Sequence, residues 1–117
     1  MMIPIFLVAL GGAVGSVLRY VTGLAVPFPY GTLTVNVAGS FAIGVLWVAL
    51  SLRTDTHPLL ITGLLGGFTT FSAFSLDTLR LFEDGRVVQA GIYILASVGL
   101  SLVACAAGLW LARGIVA

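Results

Sequence analysis

Residues 66–75 read Gly66-Gly67-Phe68-Thr69-Thr70-Phe71-Ser72-Ala73-Phe74-Ser75. They lie inside an apolar run over about 59–82, long enough to cross a bilayer, which takes about 20 residues for about 30 Å of hydrocarbon. Glycine pairs release a helix, and Thr or Ser hydroxyls then satisfy the freed backbone groups that lipid cannot. This run is therefore expected to be a helix broken near 66–70. Broken helices at membrane depth mark ion sites, because one half ends in exposed carbonyls and the other begins with exposed N–H groups. Carbonyls near Gly66 and Thr69 are placed to hold a cation, and donors beyond the break face an anion.

Working outward, three more apolar runs of spanning length cover about 3–24, 32–52 and 87–112. Pro27-Phe28-Pro29-Tyr30-Gly31 divides the first two, Arg53-Thr54-Asp55-Thr56-His57-Pro58 closes the second, and Glu83-Asp84-Gly85-Arg86 precedes the last. Over its 117 residues the chain is 60% hydrophobic and 8% charged, against about 45–50% and about 25% in soluble domains. The expected fold is an all-α membrane protein, a single four-span domain over 1–117 in the inner (plasma) membrane. With no Lys or Arg ahead of its apolar stretch, the N-terminus reads as the first helix rather than a signal peptide. No segment outside the spans is long enough for a nucleotide-binding domain, so transport driven by the chain's own ATP hydrolysis is excluded.

A net charge of +1 with no Lys excludes a nucleic-acid surface. The single Cys105 and single His57 exclude an intramolecular disulfide, a Cys/His zinc cluster and, with His57 read as a loop residue, a nucleophile–histidine pair. Orientation follows the short loops that carry Arg and Lys. Arg53 and Arg113 fall on the side of both termini. Arg80 and Arg86, joined by Arg19 if it snorkels outward, fall on the other. So even a distribution points to insertion both ways round and to an assembly of inverted copies, unless weaker cues fix one topology.

Four helices barely enclose a path alone, so polar residues inside the spans are expected to be shared between subunits. Gly11 and Gly15 suit a close helix–helix contact. Arg19, one turn beyond, is either an interfacial anchor or a fixed charge that draws anions into a vestibule. Thr32, Asn36 and Ser40 repeat every four residues, with Gly44 next. Asn36 is either interhelical glue or a donor that serves an anion path without adding negative charge. Phe68, Phe71 and Phe74 fall at i, i+3 spacing; such a stripe packs, or turns partly positive ring edges toward a lumen. Tyr93, Ser97 and Ser101, continued by Cys105, form a hydroxyl ladder suited to stepwise dehydration of a small anion, unless each hydroxyl bonds back to its own helix. Proton-coupled export requires a membrane-embedded carboxylate, and only Asp77, near the end of the third span, approaches that.

The runs Gly11-Gly12-Ala13-Val14-Gly15-Ser16-Val17-Leu18-Arg19-Tyr20, Gly31-Thr32-Leu33-Thr34-Val35-Asn36-Val37-Ala38-Gly39-Ser40-Phe41 and Gly66-Gly67-Phe68-Thr69-Thr70-Phe71-Ser72 closely resemble the motifs of the Fluc (CrcB) fluoride channel family. The resemblance covers the whole chain. It implies an antiparallel, dual-topology homodimer with two pores that exports fluoride passively. In that pattern Phe71 and Phe74 match the pore phenylalanines and Asn36 the pore asparagine. Ser72, Tyr93, Ser97 and Ser101 fall on the polar track. Gly66 and Thr69 match positions whose backbone carbonyls, from both subunits, hold a structural Na+. The chain departs from the pattern at Ala73, often Thr in the family, and at Asp77, often Glu. The expected function is a fluoride-selective channel, not an enzyme, whose partners are a second copy, fluoride and the bilayer. Two alternatives differ in class: a small-multidrug-type exporter, which needs an embedded acid, and a non-transporting assembly subunit, which conducts nothing alone.

Overall fold

The computed structural model describes residues 2–116. Helix α1 (Met2–Ala25) and helix α2 (Tyr30–Ala49) are joined by a short turn around Pro27 and Pro29, neither of which has an N–H for a helical ladder. Polar residues follow, with one 3-10 turn at Thr54–Thr56. The third span is in pieces: a π-helical segment Pro58–Leu65, a single turn α3 (Gly66–Phe68), and α4 (Phe71–Glu83). Helix α5 (Val87–Val116) closes the chain. Among the described residues four stretches are long and apolar enough to cross a membrane. Helix α2 starts and stops earlier than its apolar run suggests. Leu50 and Leu52 are apolar but lie, with Ser51 between them, in the turn that precedes the polar loop.

Small residues set the packing. A Cβ on Gly15 would strike Leu64 O and lie 2.8 Å from Phe68 N, and one on Gly67 would lie 2.7 Å from Gly12 O. Backbone therefore touches backbone where α1 crosses the π-helical segment and α3. The same holds across the bundle, where Gly44 faces Cys105 O and Gly108 faces Phe41 O, joining α2 to α5. Without a hydrophobic force between helices in lipid, such close approach is what dispersion attraction requires.

The small core lies where α4 meets α5: Phe74, Leu81, Ala90 and Tyr93, with Leu33 of α2 against it. Elsewhere Leu, Ile, Val and Phe side chains are exposed along every long helix, as a lipid-facing surface demands. Alternating helix direction puts exposed Trp47 and Trp110 on one side of the membrane and exposed Tyr20 and Tyr30 on the other, the depth at which amphipathic rings settle.

Candidate functional site

The break falls at Thr69 and Thr70, both extended, with φ/ψ of −87°/158° and −156°/126°. Its polar groups are met from three directions. Thr69 N and Oγ1 both donate to Leu65 O, each at 3.0 Å. Asn36 of α2 pairs with the Thr70 backbone twice: Nδ2 donates to Thr70 O at 2.9 Å, and Oδ1 accepts from Thr70 N at 2.8 Å. Arg19 Nε donates to Gly67 O at 3.1 Å. Beyond the break the Thr70 hydroxyl caps α4 by accepting from Ala73 N at 3.1 Å. A carboxamide with a donor and an acceptor side by side imitates a neighbouring strand, so two backbone groups are satisfied by one side chain.

Beside the break lies an open cleft of about 410 Å³. Its walls bring together Asn36, Gly66, Thr69, Phe71, Phe74, Ser97 and Ser101 from the sequence-derived set. Among the described residues none of its lining side chains is charged. Phe71 and Phe74 are tilted 51° with centroids 5.3 Å apart. Phe74 is buried, whereas Phe71 is 75% exposed at the mouth. Ser97 is 5% exposed, and its Oγ has no hydrogen-bond partner among the described residues.

Other residues of that set lie elsewhere. Phe68 does not continue the Phe71 and Phe74 stripe, because extended backbone at Thr69 and Thr70 interrupts the helical period; its ring lies instead toward Gly39. Ser72 is exposed and its Oγ sits 3.2 Å from Thr70 Oγ1, outside the cleft. Arg19 does not snorkel outward. It is half-buried against Gly67 and borders a smaller cleft of about 300 Å³ shared with Thr32 and Ala73. The row Tyr93, Ser97, Ser101 divides: the serines face the large cleft, while Tyr93 OH reaches Asp77 Oδ2 at 3.3 Å. Ser75 and Thr78 bond back to Phe71 O and Phe74 O within α4. His57, half-buried, packs on Trp47 with Nε2 2.9 Å from Leu50 O.

Asp77, to which the sequence assigns no role, is buried. Its Oδ2 also accepts from Thr32 Oγ1 at 2.6 Å, and Arg80 lies 4.0 Å from Oδ1. One carboxylate thus ties α2, α4 and α5. The available signal was general: an acid inside a span requires partners from other helices, and Thr32 and Tyr93 are the hydroxyls at its depth.

Comparison with known proteins places this arrangement among relatives. The model of the family described as CrcB-like protein, Camphor Resistance (CrcB), matches residues 6–109. A protein of Rhizobium etli (strain CIAT 652) named "Fluoride-specific ion channel FluC" is 55% identical over 97% of this chain and 99% of its own length. Proteins of the same name from Roseobacter denitrificans and Jannaschia sp. (strain CCS1) are 50% and 61% identical, over 95% and 77% of this chain and 96% and 88% of their own lengths. A full-length match at this identity, to a chain whose third span breaks at Thr69 and Thr70, establishes that the protein belongs to the CrcB-like family.

Proposed function

We propose that this multi-pass membrane protein is a fluoride-selective channel that lets fluoride leave the cell down its electrochemical gradient. The relatives' names support this reading, and the observation that carries it is the character of the large cleft. Aromatic rings and neutral donors line it, with no fixed charge on its walls among the described residues, and Ser97 Oγ is an uncommitted buried donor. A buried hydroxyl without a partner costs about 1–3 kcal/mol. An anion that accepts from it recovers that cost.

Chemically, a small halide entering here exchanges water for donors in steps. Ring edges of Phe71 and Phe74 present partial positive charge. Ser97 and Ser101 offer hydroxyls. Asn36 uses one amide hydrogen on Thr70 O and keeps the other. None of these groups binds an anion as tightly as an ammonium would, so the ion can also leave.

The proposed assembly is an antiparallel homodimer with two pores, in which a second copy covers the exposed side of Phe71. A structural Na+ on the dimer axis would be held by the carbonyls of Gly66 and Thr69. The fit rests on hydrogen-bond geometry: Thr70 N, which in an unbroken helix bonds Gly66 O, goes to Asn36 Oδ1 instead. No side-chain cluster of His, Cys, Asp or Glu suited to a metal exists among the described residues, and neutral oxygen donors suit a hard cation. When bound, Na+ would supply a central positive charge joining the two copies.

Purified protein in liposomes loaded with potassium fluoride should release fluoride to an ion-selective electrode when potassium is permeabilised, and chloride-loaded vesicles should retain chloride. Equal release of both ions would remove the selectivity claim.

A further inference from the structure

We infer that Arg19 is a positioning residue for ion conduction, acting through Nε on the carbonyl end of the broken helix. This inference rests on the channel reading and deepens it. Gly11, Gly15 and Arg19 fall at i, i+4 and i+8 on one face of α1. The two glycines bring that face into backbone contact with Leu59, Leu64 and Phe68. The next side chain along it therefore arrives at Gly67. There Arg19 Nε donates to Gly67 O at 3.1 Å, the one hydrogen bond of Arg19 among the described residues.

Gly67 O needs such a donor. In an unbroken helix it would accept from Phe71 N, but Thr69 and Thr70 are extended and Phe71 opens a new helix. The end of a helix leaves carbonyls without intrahelical partners and carries partial negative charge. A guanidinium answers both. Asn36 holds the other end of the same break through Thr70, so α1 grips Gly67 and α2 grips Thr70. Phe71, at the mouth of the large cleft, is the next residue. Its ring is aimed by the backbone these two side chains fix.

A vestibule charge and a hydrogen-bond clamp are separable. In Gln the amide nitrogen stands the same number of bonds from Cα as Nε does in Arg, so Arg19→Gln keeps the donor and loses the charge. Arg19→Lys keeps the charge but carries its donor one bond farther out, and Arg19→Met loses both. At about 1 M inert salt the screening length is about 3 Å, which suppresses attraction by an open vestibule but not a bond inside the protein. Fluoride efflux of the four proteins is compared there, after wild type has been shown to prefer fluoride over chloride. Arg19→Gln should stay within about threefold of wild type, while Arg19→Met falls at least about tenfold, the scale of a lost charge-assisted bond, with Arg19→Lys below Gln. Lys at the wild-type rate with Gln as low as Met would overturn the inference, and so would four equal rates.

A second readout needs no flux. Amide hydrogen exchange across residues 67–74 should rise in Met and Lys variants and stay at the wild-type level in Gln. Unchanged exchange in all three would also overturn it. Should Met fail to fold, the Gln and Lys comparison decides alone. A wild type without fluoride preference would refute the channel reading, and the exchange result would still judge the clamp.

Discussion

At the scale of single residues, Asn36 and Ser97 line the same cleft and differ in what they bond. Asn36 bonds both backbone groups of Thr70 and keeps one amide hydrogen to spare, so Asn36→Leu leaves a donor and an acceptor of the break without partners. Each buried group so abandoned costs about 1–3 kcal/mol, and the detergent-solubilised protein should melt several degrees lower. Ser97 Oγ has no partner to lose. Ser97→Ala should therefore leave the melting temperature unchanged or slightly raised while slowing fluoride efflux severalfold. A Ser97→Ala protein that melts well below wild type would mean that the hydroxyl is structural. For both residues the alternatives were legible in the sequence, and the choice between them was not. Spacing puts a carboxamide on a helix face, but whether it bonds across the bundle depends on whether an extended strand of backbone lies opposite. Thr70 supplies that strand only after the chain has folded.

Among elements, the glycines divide by what lies opposite them. A Cβ on Gly15 meets Leu64 O and Phe68 N, and one on Gly108 meets Phe41 O, whereas Gly91 and Gly99 of α5 face open space. Gly15→Ala and Gly108→Ala must push helices apart by backbone contact, with no flexible side chain to yield, and should sharply lower the yield of folded protein. Gly99→Ala should be tolerated, or stabilise by the roughly 0.5–1 kcal/mol that Ala gains over Gly in a helix. Size-exclusion profiles and thermal melts of the three variants test this; a well-folded Gly15→Ala would show that α1 does not pack on the third span as described. The four apolar runs and the interruption of the third could be read from hydropathy and from Gly66 and Gly67. The π-helical course of Pro58–Leu65 could not, because hydropathy is the same whether a turn holds 3.6 residues or more. Nor could the split of the Tyr93, Ser97 and Ser101 row. One face of a straight helix still meets different neighbours along its length, and Tyr93 meets Asp77 of α4 where the serines meet the cleft.

For the molecule as a whole, one copy leaves Phe71 uncovered and the large cleft open, and the arginines give little instruction about which way the chain inserts. Arg19 is engaged inside the fold with Gly67 O, which removes it from the count of loop charges. Arg53 and Arg113 remain on one side, Arg80 and Arg86 on the other. Because short-loop cations set orientation, a single added Arg should decide a balance this even. Thr54→Arg adds to the side of the termini and should insert one way; Gln89→Arg adds to the opposite side and should insert the other. Both positions are exposed and neither touches the cleft. Compartment-specific reporters fused to the C-terminus should show wild type in both orientations and each variant in one. If conduction needs inverted copies, cells making either variant alone should lose fluoride export, and cells making both should regain it. Export by one variant alone at the wild-type level would show that parallel copies, or one copy, suffice. A single orientation for wild type would show that the arginine balance does not govern insertion.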